Sequence, residues 1–144
     1  MAKNRIAHLE IFIGTWNTNG EVLATKTSPA TNLIATDTYQ WLPGKHFIIH
    51  QADARFGASP TRSTEVIGYD LSSKKIISRS YDDQGVSEVF DVALDGKRWR
   101  IKGKSVRFDG KFDAKGNKLS GLWELKEPQK GWRPWINLTL VRAG

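Results

Sequence analysis

Residues 11–22 read IFIGTWNTNGEV, and the fold is decided within this stretch. Upstream of it, Ile6, Leu9 and Ile13 recur at helical spacing, which predicts a short helix over residues 3–13 that ends at Gly14. Downstream of Gly14 the spacing of apolar residues changes to two, which is typical of a half-buried strand. The chain is therefore predicted to enter its first strand through a short docked helix and the sequence Gly-Thr-Trp.

The rest of the chain continues the strand pattern. Turn-forming Gly, Pro, Asp and Asn recur about every 8–14 residues between short runs rich in Val, Ile, Thr and aromatic residues, which is typical of antiparallel hairpins. The predicted strands lie near residues 15–22, 32–42, 45–55, 63–69, 75–81, 86–94, 97–102, 105–109, 118–126 and 134–142. Closure removes exposed edges, so the prediction is an all-β, closed or nearly closed up-and-down barrel of about 8–10 strands in one domain, residues 1–144.

Composition excludes several classes of function. The chain of 144 residues has no cysteine, which excludes disulfides, thiolate nucleophiles and Cys-ligated metal sites. No apolar run approaches the roughly 20 residues of a membrane span, and the N-terminus lacks the apolar core of a signal peptide. We therefore predict a cytoplasmic protein, and we expect it to be a monomer or a homodimer. Its net charge of +7 suits nucleic acid or an anionic ligand, but also simply favours solubility.

The first and last predicted strands carry two residues, a tryptophan and an arginine, that are typical of a known group of barrels. The chain closes with alternating Ile136, Leu138 and Leu140, and Arg142 continues their face. With Gly14-Thr15-Trp16 at the start, this arrangement resembles the calycin superfamily of lipocalin-like barrels. The resemblance implies that Trp16 plugs the closed end and that Arg142 stacks across it. The physical reason is that first and last strands of a closed meander are neighbours, and a guanidinium is attracted to an indole face.

Two further stretches resemble a particular branch of such barrels. The sequences TDTYQWLPGKHFIIHQ (36–51) and TEVIGYDLSSKKI (64–76) resemble the bacterial lipocalin-like family of uncharacterised function known as DUF1579. Haem-binding nitrobindins share a Gly-x-Trp-x-Gly-x-Gly start, but Thr18 stands here where the middle glycine is expected. Their haem ligand is a late histidine, whereas His8, His46 and His50 all lie early in this chain. No cofactor is therefore predicted, and the scattered histidines predict no metal site.

One predicted strand places a carboxylate among apolar residues. Glu88 shares a face with Phe90 and Val92, so it is predicted to point into the lumen. A four-residue loop at 82–85 would set Arg79 opposite Glu88, and a five-residue loop at 70–74 would set Glu65 opposite Arg79. Glu65, Arg79 and Glu88 would then form one lumenal row, with Tyr81 nearby. If the loop that begins at Asp70 had four residues instead of five, the row would be broken, because a shift of one residue in the pairing turns each side chain to the opposite face of the sheet.

Other candidates are secondary. A two-residue turn at Pro43-Gly44 would set Asp37 opposite His50, which is either an oriented imidazole base or a surface polar pair. Trp123 is predicted to line the lumen, where it would either fill the core or contact a ligand. The basic residues of the run from 98 to 104 alternate with Trp99 and Ile101, so cations and aromatic residues are predicted on opposite faces.

Three functions remain open from the sequence. The first is a binding protein for a small hydrophobic or amphipathic molecule, with an apolar body and a polar head. Its lumenal contacts would be Glu65, Arg79, Tyr81, Glu88, Phe90 and Trp123. The second is a non-redox enzyme, an isomerase, cyclase or hydrolase that uses lumenal Glu, Arg or His; no catalytic residue is assigned. The third is weak nucleic-acid binding through the basic outer face.

Overall fold

The computed structural model describes residues 5–144 and shows a closed, ten-stranded antiparallel barrel in which every strand pairs with its neighbours in sequence and the first strand pairs with the last. The predicted fold class is confirmed. The strands are β1 Gly14–Val22, β2 Thr31–Trp41, β3 Phe47–Phe56, β4 Ser59–Asp70, β5 Lys75–Asp82, β6 Ser87–Asp95, β7 Arg98–Lys102, β8 Val106–Phe112, β9 Lys118–Glu127 and β10 Gly131–Arg142. Across residues 5–144, no helix has the length and apolar content that crossing a bilayer requires.

The predicted N-terminal helix is a single short 3-10 segment, Ala7–Phe12. Residues 3 and 4 of the prediction lie outside the described residues. Leu9 and Phe12 are fully buried, so the segment is held by docking on the barrel rather than by its own hydrogen bonds. Gly14 follows with a φ of 129°, a left-handed conformation that favours glycine, and a Cβ there would lie 3.1 Å from Nη1 of Arg142.

The docked helix closes one end of the barrel over an aromatic core. The ring of Phe12 lies 4.6 Å from that of Trp99 and 5.1 Å from those of Tyr39 and Phe112, measured between centroids. Trp16 is 1% exposed and donates its indole N–H to the carbonyl of Phe12 at 2.8 Å. This aromatic core fills the end of the barrel that the helix covers, and Tyr39 and Trp99 of the core also border the lumenal cavity.

Hairpin registers differ from the predicted ones at both acidic loops. Four residues separate the paired Asp70 and Lys75, whereas five separate the paired Tyr81 and Ser87, the reverse of the predicted lengths. At the second loop the Asp82 carboxylate accepts backbone N–H groups from Gln84 and Val86, both at 2.9 Å. This turn absorbs one more residue than a plain four-residue loop. As a result β6 is shifted by one residue against β5.

The register between β2 and β3 also differs from the prediction. Asp37 lies opposite Ala52, and His50 lies opposite Tyr39. The loop after β2 contains Gly44 and Lys45, with φ angles of 99° and 59°, so it is longer than a two-residue turn. The Leu42 N–H closes it by donating to the carbonyl of Phe47 at 2.8 Å. The shift is two residues, so Asp37 and His50 keep a common face.

Candidate functional site

The candidate site is a cavity of about 310 Å³ inside the half of the barrel that lies beyond the aromatic core. Its walls are mostly apolar, because strand residues that face the lumen alternate with polar residues that face outward. Aliphatic and aromatic side chains from β2, β3 and β7–β10 supply the wall, among them Leu33, Phe56, Ile101, Phe108, Trp123, Trp135, Ile136 and Leu138. The cavity is therefore a largely hydrophobic chamber inside a closed sheet.

A histidine lies between two carboxylates on one side of this chamber. Nε2 of His50 lies 2.6 Å from Oδ1 of Asp37, and Nδ1 of His50 contacts Oε1 of Glu65. Glu65 is the direct cross-strand partner of His50, whereas Asp37 reaches it diagonally from β2. The three side chains are 10–19% exposed and line the cavity. The network is thus built from three adjacent strands.

Two hydroxyl groups complete the network. Oγ1 of Thr18, from β1, donates to Oδ2 of Asp37, and Oγ of Ser78, from β5, donates to Oε2 of Glu65 at 2.7 Å. Thr18 is 3% exposed and Ser78 is 0% exposed. Each oxygen of both carboxylates therefore accepts a hydrogen bond from the protein, which offsets the cost of removing these charges from water.

Tyr39 forms the floor of the site. Its ring stacks on the imidazole of His50, with centroids 4.0 Å apart and an interplanar angle of 8°. Its ring also lies 5.1 Å from the ring of Phe12 of the docked helix, measured between centroids. Burial raises the pKa of the Tyr39 phenol well above 10.0, and the charges of Asp37 and Glu65 raise it further. Tyr39 therefore stays neutral and links the polar network to the aromatic core.

Within the network, His50 and Glu65 each stabilise the charged form of the other. Burial alone would lower the pKa of His50, but the charge of Glu65 and the hydrogen bonds that the ring donates to both carboxylates outweigh it and raise that pKa to about 10. Burial acts against the charge of Glu65, yet His50 and the Ser78 hydroxyl lower the pKa of this carboxyl. An imidazolium between two carboxylates is therefore the favoured state at neutral pH.

Part of the sequence prediction coincides with this site. Glu65 faces the lumen, and Trp123 lies in its wall. Glu88 lies on the lumenal face of β6 and borders the cavity but is exposed. Phe90 is 7% exposed and packs in the main core rather than on the cavity wall. Whether any of these residues contacts a ligand stays a prediction.

The predicted row of Glu65, Arg79 and Glu88 is wrong. Glu65 and Glu88 both lie opposite Ser80, whereas Arg79 lies opposite Val66 and Val89. Arg79 therefore points to the outer surface, as does Tyr81, which is 50% exposed. The single-residue difference in loop length reversed the face of these two side chains.

The real partner of Glu65 is His50, and Asp37 and His50 meet inside the barrel rather than as a surface pair. Sequence analysis missed Thr18, Tyr39 and Ser78. The sequence did contain a signal for Thr18, because this threonine replaces the middle glycine of the Gly-x-Trp-x-Gly-x-Gly pattern at a position that faces the lumen. Ser78 left none, since serine is common on either face of a strand.

The network is not arranged as a metal site. Among residues 5–144, no group of three or more His, Asp or Glu side chains could hold a metal ion. Both ring nitrogens of His50 point at carboxylate oxygens on opposite sides of the ring, so the donors do not converge on a common point.

A second concave region lies on the outside of the barrel, where β5 and β6 diverge beyond the Ile77–Asp91 pair. It has a volume of about 720 Å³ and a basic rim of Arg5, Lys74, Lys75, Arg100 and Lys102. Trp99 of the same basic strand is 4% exposed and faces inward, so the predicted separation of cations from aromatic residues is confirmed. This cleft offers charge without a base-stacking platform from Trp99.

Known proteins with similar sequences or structures agree with this fold. The family model described as "Protein of unknown function (DUF1579)" matches residues 2–130. No curated protein matches the chain. Among solved structures, the crystal structure of Rv2717c from M. tuberculosis has a TM-score of 0.70 and 14% sequence identity, and the alignment covers 100% of both chains. At this identity the similarity shows a shared fold.

Proposed function

The chain belongs to the DUF1579 family, and from that premise we propose that its barrel binds a small, largely apolar molecule with a polar head. The observation that carries this proposal is a lumenal cavity of about 310 Å³ with apolar walls and a buried hydrogen-bonding network on one side. An apolar body would lie against the wall, and the head would meet the network. This use of the lumen is also the one that the resemblance of the sequence to calycins implies.

The dimensions and chemistry of the chamber support binding. Ligand sites in proteins are about 300–1,000 Å³ in volume and combine apolar walls with a few fixed polar groups. Here the polar groups are rigid, because each carboxylate is held by His50 and by a hydroxyl from a different strand. A rigid polar group costs little to order when a ligand binds, so it fixes the orientation of the head group.

Acid–base catalysis has weaker support from the same network. A general base needs a free nitrogen within reach of the substrate proton. Both nitrogens of His50 are engaged by carboxylates, and its pKa of about 10 keeps it protonated at neutral pH. We therefore place binding first and the non-redox enzyme of the sequence analysis second.

The test is to ask whether the lumen holds a ligand. Native mass spectrometry of freshly purified protein would detect a retained molecule, and N-phenyl-1-naphthylamine serves as a fluorescent apolar probe. Ala52 lines the cavity, whereas Ala93 is exposed on the outer face. Ala52→Leu is expected to reduce probe binding at least tenfold, and the matched Ala93→Leu is expected to leave it unchanged.

Thermal melts of both variants show whether the barrel remains folded. Equal probe binding by wild type and a folded Ala52→Leu variant would place the binding site outside the lumen. Failure of the wild type both to retain a molecule and to bind the probe would contradict the proposal itself.

A further inference from the structure

The lumen carries a charge opposite to that of the protein as a whole. The chain has a formal net charge of +7. Yet among the described residues that line the cavity, the side chains that ionise near neutral pH are Asp37, His50, Glu65 and Glu88, and neither lysine nor arginine is present. Basic side chains such as those of Arg98 and Lys102 instead lie on the outer surface.

The sign of this charge does not depend on where the protons lie. A carboxylate only accepts hydrogen bonds, and His50 meets one carboxylate at each ring nitrogen. Either both nitrogens carry protons, or one carboxyl is protonated and donates to a neutral imidazole. Both arrangements contain the same number of protons, so the group of Asp37, His50 and Glu65 has a net charge of −1. Glu88 at the rim adds a second negative charge.

Hydrogen-bonding capacity favours the same kind of ligand. The donors of the network are already used within it: both N–H groups of His50, and the hydroxyls of Thr18 and Ser78. The carboxylate oxygens each accept one bond from these donors and retain further lone pairs. Beside Asp37 and Glu65 the chamber therefore offers unused acceptors, which suit an ammonium group. The other hydrogen-bonding side chains of its wall, such as Tyr39, Ser63 and Trp123, are uncharged, so none of them balances the charge of an anionic head.

We propose that the lumen selects amphipathic organic cations, namely molecules with an apolar body and a protonated amine head, over neutral and anionic analogues of the same body. The inference rests on the proposed binding function and adds the class of head group to it. The apolar body would lie against the wall that contains Trp123 and Ile136, and the ammonium would lie against the free lone pairs of Asp37 and Glu65. Glu88 would draw the cation to the opening.

The experiment compares n-octylamine, 1-octanol and octanoic acid by isothermal titration calorimetry at pH 7. The three share one apolar body, and at this pH the amine is a cation and the acid an anion. We expect the amine to bind at least tenfold more tightly than the alcohol, and the acid to bind most weakly. If none of the three binds, the proposed function fails. If the alcohol or the acid binds as tightly as the amine, binding stands and cation selection is overturned.

Variants assign the selection to the lumen. Glu65→Gln removes a buried charge and is expected to reduce the amine-to-alcohol affinity ratio at least tenfold. Because this change can impair folding, Glu88→Gln provides an exposed alternative, with an expected severalfold reduction in the same ratio. Glu21→Gln, on the outer face of β1, changes the net charge equally and is expected to leave the ratio unchanged. A ratio that changes equally in Glu88→Gln and Glu21→Gln overturns the inference, because overall charge would then set the preference.

Discussion

The guanidinium of Arg142 lies 4.2 Å from the ring centroid of Trp16, and the two residues are direct partners between the last and first strands. The same side chain donates to the carbonyls of Ile11 at 2.6 Å, Ile13 at 2.8 Å and Gly116 at 3.0 Å. One residue thus ties together the docked helix, the closing seam of the barrel and the hairpin between β8 and β9. This connection explains why the pair identifies the fold.

Replacing Arg142 is expected to weaken the whole closed end. Arg142→Ala leaves Trp16 uncovered and three carbonyls without a donor, so the free energy of unfolding should fall by about 2–4 kcal/mol. Arg142→Lys keeps the charge but not the planar fork, and should cost about half as much. Urea denaturation measures both. Arg55→Ala, on the exposed outer face of β3, is the control and should change the free energy by less than about 0.5 kcal/mol.

The fold followed from the sequence because its signals are local and repeated. Turn residues and alternation located all ten strands, and neighbouring strands of a meander must pair. The pairing of β1 with β10 could also be predicted, because the first and last strands of a closed meander must be neighbours. Trp16 and Arg142 lie opposite each other in this pair. No long-range information was needed for these conclusions.

The site was harder to predict because it depends on exact registers. Alternation correctly placed Glu88 on the lumenal face, whereas Glu65 was assigned to that face through two predicted loop lengths. Both lengths were wrong by one residue in opposite directions, so the errors cancelled for Glu65 but reversed the face of Arg79. Asp37 and His50 were paired by an incorrect register and still meet, because an error of two residues keeps the face. Contacts to hydroxyls such as Ser78 depend on side-chain geometry, which a sequence pattern does not contain.

The corrected register gives a direct prediction for Arg79. Its side chain is exposed on the outer face, so Arg79→Met should change the free energy of unfolding by less than about 0.5 kcal/mol. It should also leave probe binding in the lumen unchanged. Equilibrium unfolding at pH 5 and pH 8 checks this: a loss of stability that is larger at pH 8 would restore the lumenal row of Glu65, Arg79 and Glu88.

Ser78 and Ser80 provide a matched pair on one strand face. Ser78 is fully buried and donates to Glu65, whereas Ser80 is half-buried and lies across from Glu65. Ser78→Ala removes a donor from a buried carboxylate and should lower the free energy of unfolding by about 1–3 kcal/mol. Ser80→Ala should cost clearly less. Equal losses in thermal or urea unfolding would show that the Ser78 hydroxyl does not stabilise the charge of Glu65.

Nucleic-acid binding is expected to be weak and governed by salt. The cations of β7 face outward, Trp99 faces the core, and Arg98 is already paired with Asp109. Contacts of this kind are electrostatic, so affinity for a labelled 20-mer of single-stranded DNA should fall at least tenfold between about 0.05 M and 0.2 M salt. Fluorescence polarisation measures this change. Micromolar binding that persists at 0.2 M salt would indicate base stacking and contradict the prediction.

The network around His50 should make stability depend on pH in a definite direction. Burial opposes the charged imidazole, but Glu65 and Asp37 raise the pKa of His50 from 6.5 to about 10. A group whose pKa is raised in the folded state stabilises it fully below the unfolded value, and the effect is lost as pH rises through the folded value. The contribution of His50 is therefore complete below pH 6.5, declines above it and is gone beyond about pH 10.

Glu65 acts in the opposite direction. Its pKa is lowered from 4.5 despite burial, because of His50 and Ser78, so its contribution is present above pH 4.5 and is lost as pH falls through the folded value. Together the two groups place the maximum contribution of the network between about pH 4.5 and 6.5. Between pH 7 and 9, one proton held only by the folded state lowers stability by on the order of 1 kcal/mol per pH unit.

Two measurements test this pH dependence. Urea unfolding of the wild type at pH 6, 7, 8 and 9 should show the decline, and Glu65→Gln should show a shallower one, because His50 loses its main charge partner. Independently, the ¹⁵N resonances of the His50 ring in the wild type should report two protonated nitrogens at pH 8. A neutral imidazole at that pH, together with unfolding free energies that do not change between pH 7 and 9, would show that the two carboxylates do not hold a proton on His50.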